Sequence, residues 1–390
     1  MKITKIECIP TSSPIAKPQV MSGVTITGIN AVVVKMHTDE GITGIAETGD
    51  ASEWYLGESQ DSIMHLINNI FGPKILLGED PFNIEKIMAK MDYAVRHNNQ
   101  AKAVIDFALH DIVGKKLGVP VYKLLGGLSM EKIPLGFVLG SGEPEELIAE
   151  AQKVLKAGFH SVKVKVGALS AEKDIENVKA VREALGSNAK ILIDANTGWH
   201  YYQALEILKK LEKYDLALVE QPLPWWDVNG LARLRKQVRI PIFADESAAE
   251  LKQVMELIEK EAADGFLIKI PKAGGLLKAQ KWVTLAKAAG LPVLCGCLKG
   301  SGIEASTQAH FIAATEWMSK FEHENSGYLE NHDILDTVGK TVTDDLSKTV
   351  PRYENGFMYP PDGPGLGVEL NEKVVAKFIT PGKRPTVIGK

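Results

Sequence analysis

Two hydrophobic rhythms divide this chain. From Lys2 to Glu47 polar and apolar positions alternate. Lys2–Pro10, the valine-rich Ile29–Lys35 and Ile42–Glu47 each read as a strand, with His37–Gly41 as the last turn, which predicts a three-stranded antiparallel meander. Between the first two strands, Thr11–Gly28 mixes Ser, Pro and Gly with apolar residues and is too long for a tight hairpin, so it is expected to be a lid-like loop. After Gly57 the period becomes helical. Ser59–Ile70, Asn83–Met91 and Asn98–Leu117 fit helices, the last with Ile105, Ala108, Leu109, Ile112 and Val113 on one stripe. Strands followed by helices form an α+β module, which LLGGLS (Leu124–Ser129) ends.

Beyond it the two rhythms interleave. Ile133–Leu139 reads as a strand and Pro144–Lys156 as its helix, and further short apolar runs end at Lys165, Asp194, Glu220, Asp245, Lys269 and Cys295. These ends lie 29, 26, 25, 24 and 26 residues apart, room for one strand, one helix and two loops. Such a period argues for parallel β/α units, and with Ser319–Glu324 as the eighth strand they close into an α/β barrel of the TIM type. The expected layout is 1–127 for the α+β domain, 128–327 for the barrel and 328–390 for a segment, Pro- and Gly-rich at Tyr359–Gly367, that packs back on the first domain.

Composition narrows the function. With 390 residues, 45% hydrophobic and 24% charged, the chain can bury a large core. A formal charge of −4 leaves no electrostatic footprint for nucleic acid or an anionic membrane surface. There is neither a run long enough to span a bilayer nor a signal-peptide pattern at MKITKIECIP, so the expectation is a cytoplasmic protein acting on small molecules. The cysteines Cys8, Cys295 and Cys297 suggest no disulfide framework. Cys295 and Cys297, two apart, would share a face if their strand continues, and read as small core residues.

The strand ends carry the chemistry, in the order Lys, Asp, Glu, Asp, Lys. Singly, an acid after an apolar run caps the next helix. Matched across three consecutive units, Asp194, Glu220 and Asp245 instead converge on one mouth, where they repel unless a hard cation such as Mg2+ sits among them. Near such a cation the ammonium form of Lys165 or Lys269 is disfavoured, which moves it toward acid–base work. Lys163 and Lys165 share a face while Val162, Val164 and Val166 take the other. Asn196 is placed to hydrogen-bond a ligand, and Glu246 and Ser247 to support the site or cap a helix. Lys272 reads as a solvated loop lysine. Trp54, Tyr55, Trp225 and Trp226 are aromatic residues available to the substrate loops.

Together KVKVG, DANTGW, VEQPLP, ADES and IKIPKAGG make the chain resemble the enolase superfamily and, more narrowly, its muconate lactonizing enzyme subgroup. The resemblance implies a modified TIM (β/α) barrel under an N-terminal capping domain that the C-terminal tail completes. It implies that Asp194, Glu220 and Asp245 hold Mg2+, with Mn2+ as alternative, that Lys165 and Lys269 flank the α-carbon of a carboxylate substrate, and that Lys163 lowers the Lys165 pKa by repulsion. Loops near Pro18–Thr27 and Asp50–Gly57 would then choose the substrate, and a homo-oligomer, dimer or octamer, is expected. Relatives often carry a Glu where this chain has Gly300, so Lys299 joins Asn196 and Glu324 as a candidate substrate contact. The implied reaction is racemisation, epimerisation or cycloisomerisation, with dehydration through the same enediolate, or a non-catalytic binding barrel, as alternatives.

Overall fold

The computed structural model describes residues 1–324 and 344–390; the expected boundary between residues 327 and 328 lies outside them. The first strands are β1 (Ile3–Met21), β2 (Val24–Thr38) and β3 (Thr43–Glu47), paired antiparallel. The expected lid loop is therefore not a loop. β1 and β2 run on through Thr11–Gly28 as one long hairpin that turns at Ser22 and Gly23, with a register shift between Pro14 and Gln19. Its apolar residues Met21, Ile26, Ile29 and Ala31 pack together apart from the main core, and that small cluster obscured the strand alternation. The tip reaches the barrel, where Ser141 N donates to Val20 O at 3.2 Å.

The helix Asn99–Leu117 lies across β3, and every residue from Gln100 to Gly114 is buried. Contact is close enough that a Cβ on Gly44 would stand 2.3 Å from Ala108 O. Its first free N–H groups, those of Gln100 and Ala101, donate to the Glu58 carboxylate at 2.8 and 3.0 Å, the anionic end that a helix N-terminus favours.

In the barrel the expected first strand divides. β4 (Ile133–Pro134) pairs outside the barrel, and β5 (Gly136–Leu139) begins the parallel sheet. Then come β6 (Ser161–Lys165), β7 (Lys190–Asp194), β8 (Leu218–Glu220), β9 (Ile242–Ala244), β10 (Gly265–Ile268) and β11 (Val293–Cys295), each beside its predecessor in one seven-stranded sheet. The eighth position is not the full strand expected from Ser319 to Glu324. A single bridge between Leu135 and His323 closes the ring, helped by Gly136 N to His323 O at 3.0 Å and Glu324 N to Cys295 O at 2.8 Å.

Alternation sorts the barrel side chains. Val162, Val164, Val166, Ile191 and Ile193 join the main core with the surrounding helices, whereas Leu192, Leu218, Phe243, Leu267 and Leu294 form a separate inner cluster. Two positions beyond Leu192, Leu218, Phe243 and Leu267 stand the ionic residues Asp194, Glu220, Asp245 and Lys269.

After the barrel, β12 (Arg352–Glu354) and β13 (Phe357–Tyr359) make a small sheet with β4, and β14 (Thr386–Gly389) pairs antiparallel with Lys5–Cys8 of β1. The capping sheet thus has the order β14-β1-β2-β3. Among the described residues no helix is long and apolar enough to cross a membrane.

Candidate active site

Parallel register aligns the ionic residues. Lys165, Asp194 and Glu220 are lateral partners on β6, β7 and β8, Asp245 follows β9, and Lys269 follows β10. Lys165 and Lys269 stand four places apart in an eight-membered ring, so they face each other across the mouth with the three acids along one arc between them. Lys163, Lys165, Asp194, Glu220 and Asp245 are buried, and Lys269 is nearly so. Unpaired ions are costly there, and each of these has a partner.

The pairs are specific. Lys165 Nζ donates to Asp194 Oδ2 at 2.5 Å and Asn196 Oδ1 at 2.7 Å. Lys269 Nζ donates to Asp245 Oδ2 at 2.6 Å and to the Tyr55 hydroxyl at 2.9 Å, and the Tyr55 hydroxyl donates to Asp245 Oδ1 at 2.7 Å. Burial disfavours the Lys269 ammonium, but Asp245, Glu220 and Glu246 outweigh it and hold its pKa above the ordinary lysine value.

Lys163 bridges Glu220 and Glu324, so two carboxylates absorb its charge, and against burial they hold its pKa high. One other lysine departs from expectation. Lys272 is not solvated. The short helix Ile270–Ala273 turns it inward, where it is fully buried and donates to Asp245 O and Oδ1, both at 2.5 Å, and to Leu267 O at 3.0 Å.

Supporting contacts hold the acids. Gln221 Oε1 accepts from Asp245 N at 3.0 Å and Ser247 N at 3.1 Å, while its Nε2 donates to Leu223 O and Ser247 Oγ. Asn196 N donates to Asp194 Oδ1 and its Nδ2 to Glu246 Oε1. Asn196, Thr197, Gln221 and Lys299 have positive φ at 39°, 65°, 35° and 56°, so backbone strain collects at the barrel mouth, as it does at functional sites.

Above these strand ends lies a cavity. The capping domain contributes Met21 and Ile26 from the hairpin, then Asp50, Ser52, Trp54 and Tyr55; the barrel adds Val138, Cys297, Leu298 and Lys299. Lys165, Lys269, Asp194, Asn196, Glu220 and Glu324 complete it. Glu324 reaches the cavity but is tied to Lys163, and Glu322 pairs elsewhere, with Lys190. Trp225 and Trp226 do not line it and are 55% and 66% exposed. Cys295 faces the helix layer whereas Cys297 lines the cavity, so the two cysteines do not share a face. Neither the Tyr55–Lys269 contact nor the Gln221 bridge is marked by any residue pattern; the one hint for Gln221 is its place directly after Glu220.

As the side chains lie, no group of three or more His, Cys, Asp or Glu among the described residues forms a metal cage, because each acid is turned toward a lysine. The donor chemistry nevertheless fits a hard cation. Burial and the neighbouring Asp194, Glu324 and Asp245 raise the Glu220 pKa well above the carboxylate range even against Lys163, a surplus of negative charge that a divalent ion would relieve. Glu246, raised to about 7 by burial and by Asp245 and Asp194, keeps Oε2 buried without a hydrogen-bond partner.

Residues 3–126 match the N-terminal domain of the mandelate racemase / muconate lactonizing enzyme family, and residues 146–374 match the enolase C-terminal domain-like family. The chain belongs to the mandelate racemase / muconate lactonizing enzyme family of the enolase superfamily. Within it, an N-succinyl-L-Arg/Lys racemase of Bacillus cereus is 34% identical over 97% of this chain and 98% of its own length. A muconate cycloisomerase 1-1 of Acinetobacter lwoffii is 32% identical, covering 97% of each chain. Among solved structures, a mandelate racemase/muconate lactonizing family protein from Azoarcus sp. EbN1 is 53% identical over the whole of both chains, with a TM-score of 0.94. A dipeptide epimerase from Cytophaga hutchinsonii, complexed with Mg and the dipeptide D-Ala-L-Val, is 28% identical over the whole of both chains, with a TM-score of 0.89.

Proposed function

We propose that this protein is an isomerase that removes and returns a proton α to the carboxylate of a small-molecule substrate. One observation carries the reading: Lys165 and Lys269 enter a single cavity from opposite sides of the ring, with Asp194, Glu220 and Asp245 between them. A carboxylate substrate laid across this mouth presents its α-carbon to an amine on either face. One lysine, as the free amine, takes the α-proton, and the other, as the ammonium, gives a different proton to the opposite face, which inverts the centre; in a cycloisomerisation a carboxylate oxygen adds across the substrate's double bond and a lysine ammonium protonates the α-carbon so formed. Asn196 and the Tyr55 hydroxyl hold the two amines in place. The racemase, epimerase and cycloisomerase names of the relatives support the isomerase class.

A lysine acting as base must enter the step as a free amine, so the Lys165–Asp194 and Lys269–Asp245 pairs have to open. Asp194, Glu220 and Asp245 are the residues that would hold Mg2+ or Mn2+, and the lone pairs this needs are the ones now given to the lysines. Bound there, the ion supplies Lewis-acid stabilisation of the negative charge that develops on the substrate carboxylate.

The test is proton exchange in D2O, followed by NMR, over a panel of N-acylated amino acids, dipeptides, muconates and hydroxy acids. Deuterium at the α-carbon with loss of optical rotation is the expected result for at least one member, and a keto acid would instead mark dehydration. Lys165→Ala and Lys269→Ala should each lower exchange by about 10²- to 10⁴-fold while calorimetry still finds the divalent ion bound. Unchanged exchange in both variants removes these lysines from the chemistry.

A further inference from the structure

The seam between cap and barrel holds a second pocket, which shares no lining residue with the active-site cavity. From the cap it takes Asp92, Arg96 and Lys102, and from the barrel Glu250, Lys252 and Lys278. Leaving His97 aside, four cationic side chains face two carboxylates there, a surplus of two positive charges in one cleft.

The acids are already engaged. Lys102, whose side chain is only 3% exposed, and Lys278 both reach the same oxygen, Asp92 Oδ1, at 3.0 and 2.6 Å. One carboxylate thus answers two ammonium groups. Burial, together with the Lys278 charge, keeps the Lys102 pKa below the ordinary lysine value in spite of Asp92. Glu250 accepts from His97 Nδ1 at 2.8 Å. Among the described residues, the Arg96 guanidinium and the Lys252 ammonium have no hydrogen bond or ion pair, although both line the pocket. A planar guanidinium facing an ammonium across a cleft is the donor set that phosphate oxygens accept from. A phosphate monoester carries about −1.5 to −2 charges at pH 7 and offers three acceptor oxygens, which matches the surplus.

We infer that this seam pocket binds a small phosphate-bearing anion, held by Arg96 of the cap and Lys252 of the barrel over Lys102 and Lys278, and that the bound anion braces cap against barrel. The brace adjoins the turn that places Lys272: Asn99, which lines the pocket, donates from Nδ2 to Lys272 O at 2.8 Å, and Ala273 is part of the pocket wall.

Inorganic phosphate and phenyl phosphate are the probes, read by calorimetry and by melting temperature at constant ionic strength, with sodium chloride as the reference salt and malonate as a dicarboxylate. Saturating phosphate or phenyl phosphate should raise the melting temperature by about 2 °C or more over the chloride reference. Arg96→Gln and Lys252→Gln remove side chains that have no partner in the fold, so folding should stand while each weakens phosphate binding by about tenfold. Asp92→Asn, which frees Lys102 and Lys278 for the anion, should tighten it. The active-site lysines could also attract phosphate, so binding is measured in Lys165→Ala and Lys269→Ala as well, where it should persist. Binding lost in those two but unchanged in the Arg96 and Lys252 variants overturns the inference. So does a stabilisation no larger than chloride gives, or malonate bound more tightly than phosphate.

Discussion

Asp245 is the most heavily engaged acid of the site, with Lys269, Lys272 and Tyr55 all on its carboxylate. Burial opposes its charge, but the two ammonium groups outweigh that and hold its pKa well below the usual carboxylate range. Lys272 is the structural half of this arrangement, because it also ties Asp245 O to Leu267 O across β9 and β10. Lys272→Met should therefore destabilise the fold by about 3–5 kcal/mol, the cost of stripping one partner from a buried pair, as read from urea unfolding. An unfolding midpoint equal to that of the parent would mean that Lys272 is dispensable. The position shows where sequence reading stops. The inner placement of Lys165 was legible because Val162, Val164 and Val166 mark the other face of its strand. Nothing comparable flanks Lys272: a lysine just past a strand is solvated in most loops, and only the tight turn of Ile270–Ala273 brings it back over Asp245.

At the scale of elements, the site depends on how closely the cap and its helix approach the barrel. The helix Asn99–Leu117 sends Asn99 Nδ2 to Lys272 O at 2.8 Å and Gln100 Nε2 to Asp50 O at 3.0 Å, so its placement reaches both walls of the cavity. That placement rests on Gly44, where an added Cβ would also meet Ile112 Cγ1 at 2.7 Å. Gly44→Ala should cost about 1–3 kcal/mol in thermal or urea unfolding through overpacking, and a neutral effect would show that the helix can retreat freely. Helices and parallel strands were readable here because their apolar stripes are long. The β1–β2 hairpin was not, since Pro14, Pro18 and the register shift break the alternation and its apolar side chains face a small separate cluster. The eighth barrel position was overread for the opposite reason: the β/α period called for a strand where the polar stretch Ser319–Glu324 makes a single bridge.

For the molecule as a whole, the junction of cap and barrel responds to pH. Glu47 at the end of β3 accepts from Ser301 N and from Ser301 Oγ, the latter at 2.5 Å, and burial with the nearby Asp345 raises its pKa to about 7. Glu304, buried on the next helix and close to Glu47, is raised to about 8. Both fold with a proton more readily than they hold one when unfolded, near 4.5. Their stabilising contribution is therefore complete below pH 4.5 and is lost as pH rises through 7 and 8. The part of this lost above pH 6.5 spans about two pKa units in all, a few kcal/mol at ~1.4 kcal/mol per unit. His310 and His323 act in the other direction, since burial lowers both to about 4 and their contribution is lost as pH falls from 6.5. Melting temperature should accordingly decline from pH 6.5 to 8 and then level off, and Glu304→Gln should flatten that decline. An identical slope in the variant would locate the sensitivity elsewhere.

β14 lies beside Lys5–Cys8, so residues from opposite ends of the chain share one ladder. A ribosome releases the two partners of that ladder more than 370 residues apart in order of synthesis. The outermost strand of the cap can dock only after Gly389 has left the exit tunnel, and until then the edge of β1 stays open to other strands.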